Sequence, residues 1–480
     1  MHPRRGTKDT RRMHEWRRWS IGHGDRADRR QTEMATSYYP PGVVNAGTTC
    51  PVVVGVTGTE YSANLTAQFI AALEKQSGLL VNEFKHTENI PKSKFRMTYS
   101  DYTAKGIFKR KWFEKHTRKN PAVLLLTLPF EASLSDKEWS EKEVQLVKDV
   151  QRSQAQVEGS KTKLVLVLIQ DREYLKSQEG RERTQVAKER VVSLRRCIDF
   201  ESKRVHLVYT ADLKSENSTD MQKLGKTIYN TCIDFYKKCT KSVKDMRRFV
   251  STSGMSKELQ LAMSARQYVK IGQYYELRRE GSKAHKAYKD AYDDLISIIK
   301  QKKQGGNTPS KITFNEVKHV AEIVFYKLCL SYFNQGRAVE AVRLFRNYMH
   351  QYRDLPQEAI GENSGLRRTV EECEKKAWAA RQCINLANFL HKYKDILSDQ
   401  QKTYEYLQNS TFVYMAISFE RQRRVIVKNY TENNGDNPLE LEDPNVTISE
   451  SEYIGGVPTI TGTKDTKAME TPESTQDAFM

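Results

Sequence analysis

Between residues 49 and 250, short apolar runs alternate with amphipathic stretches of helical period. Five runs rich in Val, Ile and Leu predict strands, at 52–56, 79–84, 122–128, 163–169 and 204–210. Such runs are apolar on both faces, which is typical of a parallel sheet that is covered by helices on both sides. The pattern therefore predicts a Rossmann-like α/β domain over residues 49–250.

The stretches between the strands have apolar residues three or four positions apart, as helices packed on a sheet do. These residues are Leu65, Phe69 and Leu73 in one stretch, Val144, Val147 and Val150 in another, and Ala187, Val191, Leu194 and Ile198 in a third. Ser135 and Glu138 have the spacing of a capping box, in which each side chain accepts a hydrogen bond from a free backbone amide. We therefore expect a helix to begin at residue 136.

From residue 251 to about 430 the strand pattern ends and only helical patterns remain. One stretch matches the large and small positions of a tetratricopeptide (TPR) repeat, with Tyr268, Ile271, Gly272 and Tyr275 on its first helix and Ala284, Tyr288 and Ala291 on its second. Glu280-Gly281 is the expected turn. A weaker unit, from Phe325 to Phe345, follows after a longer interval than the repeat period. Residues 251–430 are therefore predicted to form an all-α, TPR-like solenoid, a fold that offers extended surfaces to other proteins.

The two ends of the chain differ from the middle in composition and charge. Residues 1–48 and 431–480 lack periodic apolar patterns, and we expect a disordered basic arm and a disordered acidic tail. Of the net charge of +19, residues 1–32 carry +6 and residues 429–480 carry −9, which leaves +22 for the part between them. A charge of this size attracts polyanions, such as nucleic acid, anionic lipid or the acidic face of a protein.

Composition narrows the class of protein. The seven cysteines are scattered and odd in number, with no Cys-x-x-Cys, so they are expected to be reduced thiols. No apolar run reaches the ~20 residues that a membrane-spanning helix needs, and the Arg-rich N-terminus lacks the apolar segment of a secretory signal. We expect a soluble, cytoplasmic protein.

The predicted strand ends offer little for catalysis. The turn GVTGTE at 55–60 lacks the third glycine of a dinucleotide loop and the Gly-Lys-Ser/Thr of a nucleotide-triphosphate loop. Glu131 and Asp171 are isolated carboxylates, and His206 is expected to be a core residue rather than a metal ligand. We therefore predict no enzyme activity and no catalytic, cofactor-binding or metal residue. The alternative of a nucleotide- or sugar-binding enzyme fused to helical repeats would depend on the turn at 55–60.

A basic stretch at 105–119, KGIFKRKWFEKHTRK, is denser in positive charge than the sequence around it. Its candidate contacts to an anionic surface are Lys105, Lys109, Arg110, Lys111, Trp112 and Lys115. Cations between aromatic residues suit nucleic acid, through phosphate contacts and stacking, and they equally suit an anionic membrane. The simpler interpretation is a helix with its aromatics against the sheet. No nucleic-acid-binding fingerprint accompanies the stretch, so nucleic acid is the weaker alternative.

Several segments, in order, resemble one known family. YTAKGIFKRKWFEKHTRKNPAVLLL (102–126) is similar to a signature region of the foie gras domain, the family of subunit eleven of the TRAPP (transport protein particle) complex. Four further segments resemble it in the same order: TKLVLVLIQ (162–170), ERVVSLRRCIDFESKRVHLVYTAD (189–212), KIGQYYELRREGSKAHKAYKDAYDDL (270–295) and YEYLQNSTFVYMAISFERQRR (404–424). The likeness covers roughly residues 50–430.

The resemblance implies a non-catalytic subunit of a membrane-tethering complex that acts in vesicle transport between the endoplasmic reticulum and the Golgi. The partners it implies are other TRAPP subunits, a Rab GTPase reached indirectly through the complex, and peripheral contact with an anionic membrane. The location it implies is cytoplasmic, on Golgi or ER–Golgi intermediate membranes. It implies no catalytic residues and no cofactor.

Overall fold

The structure is a computed structural model. It describes residues 53–58, 63–77, 80–84, 90, 106–109, 111–170, 178–215, 218–252, 254–304, 312–355, 364–404, 407–434, 446–449 and 459–463. The described residues form two compact units. The first holds those up to Gln304, other than 106–109, together with Glu322–Gln335, and the second holds the others.

Five parallel strands form the sheet of the first unit, in the order β2-β1-β3-β4-β5. Their bounds are Val53–Gly58 (β1), Leu80–Glu83 (β2), Val123–Pro129 (β3), Lys163–Gln170 (β4) and Val205–Tyr209 (β5). All five predicted strands are confirmed, and so is the parallel sheet. The strand order is that of the flavodoxin-type doubly wound sheet rather than the order 3-2-1-4-5 of the dinucleotide-binding Rossmann fold.

The two faces of the sheet bury different side chains. In β4, Leu164, Leu166 and Leu168 belong to one core cluster, and Val165, Val167 and Ile169 belong to the other. Successive side chains of a strand point to opposite faces, so a run that is apolar throughout supplies both cores. This explains why the predicted strands show no alternation of apolar and polar residues.

Helices cover both faces. Near the sheet they are α1 (Ala63–Ser77), α2 (Trp112–Glu114, continued by π-helical Lys115–Lys119), α3 (Asp136–Val157), α4 (Gln178–Cys197), α5 (Thr210–Lys214) and α6 (Thr219–Thr252). The capping box at the start of α3 is confirmed, with Ser135 and Glu138 exchanging hydrogen bonds. The apolar stripe predicted on α3 is wrong at one position, because Val144 is 55% exposed whereas Val150 is buried. Steps of three residues drift around a helix of 3.6 residues per turn, which carries Val144 off the buried face.

The described residues from 257 to 434 are almost entirely helical, as predicted. The helices are α7 (Lys257–Leu277), α8 (Gly281–Gln304), α9 (Phe314–Phe333), α10 (Ala338–Tyr352), α11 (Ser364–Lys392), α12 (Lys394–Thr403) and α13 (Asn409–Asn434). Within the tail for which composition predicts disorder, α13 continues to Asn434. A hairpin of β6 (Val446–Ser449) and β7 (Thr459–Thr463) also lies there, where β-branched residues favour strands.

The second unit has an aromatic core of its own. The rings of Tyr348 and Trp378 lie 5.4 Å apart, and the ammonium of Lys318 lies 4.2 Å from the centre of the Trp378 ring. Phe345 and Phe412 meet edge to face at 5.6 Å. These contacts tie α10, α11 and α13 together through large rings, which carry much of the packing energy in a small core.

Candidate interaction surface

The predicted repeat positions meet in the hairpin of α7 and α8. Gly272 lies directly against the ring of Tyr288, because a Cβ atom built at Gly272 would come within 2.5 Å of that ring. Ile271, Ala284, Tyr288 and Ala291 are all buried. The small residue therefore permits the close approach of the two helices that the repeat pattern requires.

The other two predicted aromatics face the preceding helix. Tyr268 accepts a hydrogen bond from Arg247, and Tyr275 accepts one from Lys244 at 2.9 Å, so both link α7 to α6. The turn of the hairpin also differs from expectation, because the residue with left-handed backbone is Arg279, with φ of 59°, and Gly281 already begins α8.

Strands β1 and β3 are neighbours at the reversal of strand order, where sheets of this type bind ligands. Of the turn considered for nucleotide binding, residues 55–58 belong to β1, and Thr59 and Glu60 lie outside the described residues. Buried threonines fill this point: the hydroxyls of Thr66 and Thr127 are 2.8 Å apart, and Thr127 donates to the carbonyl of Thr57 at 3.2 Å. Gly55 lacks a side chain because the ring of Phe84 occupies the space, 2.8 Å from where its Cβ would lie. Both features are typical of packing rather than of a phosphate site.

The segment after β3 is held by one buried arginine. Arg190 donates to the carbonyl oxygens of Ala132 (3.3 Å) and Leu134 (2.8 Å) and to the carboxylate of Asp136 (3.1 Å). Its guanidinium also lies 5.1 Å from the centre of the Trp139 ring. All of these contacts are structural. They fix the path of the chain from β3 into α3.

Of the isolated polar residues at the other strand positions, the structure describes Glu131 and His206. The carboxylate of Glu131 is exposed, and Asp171 lies outside the described residues. His206 is only partly buried, and its Nε2 lies 3.1 Å from the carbonyl oxygen of Lys203. Burial lowers the pKa of this histidine.

The basic stretch at 105–119 is only partly described, since Lys105 and Arg110 lie outside the described residues. Lys109 is half-buried in an isolated β-bridge, and Lys111 is exposed at the start of α2. Phe108, which precedes the helix, and Phe113 are buried, and of the three aromatics Trp112 packs against the core on the valine face of the sheet. Trp112 is half-buried, with its ring 5.3 Å from that of Phe113 and 5.9 Å from that of Tyr274. The described aromatics of this stretch are thus used in packing.

His116 stands in the middle of these rings, 4.4 Å from Trp112 and 5.8 Å from Tyr274. Burial, and then the charges of Lys270 and Lys115, lower the pKa of His116 from 6.5 to about 3. The imidazole is therefore neutral in the folded protein at physiological pH.

This neutral histidine predicts a loss of stability in acid. Below pH 6.5 the unfolded chain binds a proton at His116 that the folded chain excludes. The free energy of unfolding therefore falls with pH by up to about 1.4 kcal/mol per unit between pH 6.5 and 3. Urea titrations of the parent and of His116→Phe at several pH values measure this slope. We expect the slope to be shallower in the variant, and equal slopes would contradict the assignment to His116.

The described part of the chain offers neither a metal site nor a membrane-spanning helix. No group of three or more His, Cys, Asp or Glu side chains there is arranged to hold a metal ion. None of the described helices is both long and apolar enough to cross a bilayer.

An exposed apolar stripe on α13 was not anticipated from the sequence. Tyr414 is 71% exposed. Val413 and Ile417 are exposed beside it, and Val425 is exposed about three turns further along the helix. Arg421 and Arg424 are exposed between them, and Arg424 pairs with Glu420. Large apolar side chains grouped on one helix face mark a surface for another protein. In the sequence, apolar residues occur on both sides of this helix. That pattern predicts that both sides are buried, but it does not distinguish burial within the chain from burial against another protein.

Two families match the chain, one in each half. The family described as the N-terminal domain of trafficking protein particle complex subunit 11 matches residues 61–217, and the family described as Foie gras liver health family 1 matches residues 313–479. The second match contains α13 and its stripe.

Relatives agree with both matches. Over 333 residues the chain is 24% identical to trafficking protein particle complex subunit 11 of Gallus gallus and 23% identical to that of Homo sapiens. Each alignment covers 68% of this chain and 26% of the relative, so the chain spans about a quarter of the length of these curated relatives. With both regions present in order, the chain is similar to the foie gras domain family of trafficking protein particle complex subunit 11.

Proposed function

We propose that the chain is a non-catalytic subunit of a TRAPP-like membrane-tethering complex that acts between the endoplasmic reticulum and the Golgi. Its role is that of a scaffold for protein–protein contacts, and a Rab GTPase is reached through the other subunits. The chain is located on the cytoplasmic side of Golgi or ER–Golgi intermediate membranes. Similarity to this family, and to relatives named as trafficking protein particle complex subunit 11, supports this proposal.

The observation that carries the proposal is the apolar stripe of α13, formed by Val413, Tyr414, Ile417 and Val425. It lies within the residues that match the foie gras family. Tyrosine is enriched at the centres of protein interfaces, because its ring buries a large area and loses little conformational entropy. We assign this stripe to contact with another subunit of the complex.

The helical half supplies the frame for this contact. We propose that the hairpins α7–α8 and α9–α10 are two TPR-like repeats of a solenoid. Gly272 against Tyr288 in the first hairpin, and the buried Ala341 and Phe345 in the second, support the assignment. A solenoid presents long helix faces side by side, which suits a subunit that holds several partners.

The α/β half acts as a scaffold in this proposal. The hydroxyls of Thr66 on α1 and Thr127 on β3 bond to one another and are buried, so they are not presented to a ligand. Among the residues that the structure describes at that position, nothing favours the alternative of a nucleotide- or sugar-binding enzyme.

The test is a pull-down of the tagged full chain from cells, with the recovered proteins identified by mass spectrometry. We expect the parent to recover other TRAPP subunits. The double variant Tyr414→Asp and Ile417→Asp is expected to lose most of them, because two carboxylates in an apolar interface are left without partners.

A matched variant separates this effect from a general loss of surface apolarity. Val144→Asp removes an apolar side chain that is 55% exposed on α3, far from the stripe in sequence. It is expected to recover the subunits as the parent does. Failure of the parent to recover any TRAPP subunit would overturn the proposed function, and equal recovery by all three proteins would overturn the role of α13.

A further inference from the structure

Lysines from separate parts of the chain lie at the end of the sheet where its parallel strands begin, which is called the amino edge below. Lys111 immediately precedes α2, and Lys115 begins its π-helical continuation, which β3 follows after three residues. Lys161 is exposed in the turn before β4, and this turn is fastened to the start of β3 because the hydroxyl of Thr162 donates to the carbonyl of Pro121 at 2.8 Å. Two segments that are 40 residues or more apart in sequence thus bring lysines to the same edge.

Helices α6 and α7 add lysines at this edge. Burial raises the pKa of the Cys239 thiol on α6 to about 11, and the nearby ammonium of Lys161 partly opposes this. Lys238 and Lys241 are exposed on the same turns of α6 as Cys239. On α7, the Nζ of Lys270 lies 5.8 Å from the centre of the Trp112 ring. The four elements therefore converge around Trp112, His116 and Cys239.

We propose that this amino-edge lysine cluster, defined as Lys111, Lys115, Lys161, Lys238, Lys241 and Lys270, binds the surface of an anionic lipid membrane. The cluster differs from the linear basic stretch, since three of its elements lie outside residues 105–119. Two acids close to these lysines in sequence are Glu114, which pairs with Lys119 at 3.1 Å, and Asp234, which pairs with Lys237 at 3.2 Å.

The chemistry of the cluster favours lipid over nucleic acid. Proteins that grip single strands stack bases on exposed aromatic rings, but Phe113 is buried and Trp112 packs against His116 and Tyr274. The cations are all lysines, which act as point charges and attract a negatively charged surface without shape-specific contacts. An anionic leaflet attracts each lysine near it by about 1 kcal/mol.

Flotation of the full chain with vesicles tests this proposal. The vesicles are phosphatidylcholine alone, and phosphatidylcholine mixed with phosphatidylserine. We expect binding to the mixed vesicles only, and weaker binding as salt is raised. The triple variant Lys161→Glu, Lys238→Glu and Lys241→Glu alters exposed side chains. At about 1 kcal/mol per lysine, it is expected to lower the partition onto mixed vesicles by on the order of a hundredfold or more.

A control variant has the same change in net charge on the opposite face of the sheet. Lys137→Glu, Lys148→Glu and Lys188→Glu alter exposed lysines of α3 and α4, the helices that cover the leucine face. This variant is expected to bind mixed vesicles within a few-fold of the parent. Equal losses in both variants, or equal binding of the parent to both kinds of vesicle, would overturn the proposal. An RNA gel shift that only the first variant loses, without vesicle binding, would assign the cluster to nucleic acid instead.

This inference deepens the proposed tethering function. It rests on that function only for the identity of the membrane that the cluster would bind in the cell. The vesicle measurement uses the purified chain alone. Subunit recovery with no vesicle binding would reject the cluster and leave the proposed function standing. Vesicle binding without subunit recovery would support the cluster and reject the proposed function.

Discussion

Gly272→Trp is expected to lower the free energy of unfolding of the first compact unit by about 3 kcal/mol or more. A single Cβ at this position already meets the Cε1 atom of Tyr288 at 2.5 Å. Tyr288 is buried and cannot move away without displacing its own neighbours. Overpacking of a well-packed core typically costs about 1–3 kcal/mol, and an indole is far larger than the methyl group that would already clash. Urea unfolding, followed by tryptophan fluorescence and circular dichroism, measures the change.

Smaller substitutions show whether the close approach is the cause. Gly272→Ala combines the clash with the better helix propensity of alanine, which offsets up to about 1 kcal/mol. Gly281→Ala is the matched control, because nothing lies within 4 Å of a Cβ built there. Tyr288→Leu together with Gly272→Ala should cost less than the sum of the two single changes, since each relieves the other. Additive costs would contradict the packing assigned to this hairpin.

Glu276→Gln is expected to cost about 3 kcal/mol, much more than the removal of its partner. The ammonium of Lys327 on α9 lies 2.7 Å from the carboxylate of Glu276 on α7, and the Lys327 side chain is only 2% exposed. Removal of one partner of a buried ion pair leaves the other charge uncompensated and typically costs about 3–5 kcal/mol. Replacement of the buried cation by an apolar side chain of similar length avoids this penalty.

Three variants measured together test the asymmetry. Glu276→Gln leaves the buried ammonium alone, Lys327→Met removes the cation, and the double variant removes the charge from both. We expect Lys327→Met and the double variant to be at least about 2 kcal/mol more stable than Glu276→Gln in urea unfolding. If Lys327→Met were the least stable of the three, the pair would be stabilising chiefly through the packing of the lysine side chain.

The sheet could be predicted because each of its strands is a short apolar run in the sequence. Val165, Val167 and Ile169 alternate with leucines in β4, and any such run bounded by polar residues reads as a buried strand. The capping box at Ser135 was equally readable, since it depends on two residues three positions apart. Strand order was not readable, because the pairing of β1 with β3 depends on where the helices return the chain.

The surfaces were harder to predict than the core. Composition located positive charge between residues 33 and 428, but Lys161, Lys238 and Lys270 are far apart in sequence and meet only through the fold. The linear stretch at 105–119 was visible because its cations are adjacent. Its aromatics proved to be part of the packing, since a pattern of alternating cations and rings looks the same for a binding surface and for a helix lying on a sheet. The stripe on α13 was hidden for a similar reason, because Tyr414 and the buried Phe412 are both apolar and only the fold separates them.

Helix α6 has consequences for any attempt to divide the chain. At 34 residues it is about 50 Å long, and its residues from Met221 to Cys239 share one core with Tyr274 and Leu277 of α7. A fragment ending near Val250 would expose the apolar side of α6. It would also lack Tyr274 and Leu277, which are buried in the core on this face of the sheet. Helix α7 of the first helical hairpin therefore contributes to the core of the α/β fold. We expect the fragment 49–250 to aggregate or unfold, whereas one extended to Gln335 should melt as a single cooperative unit.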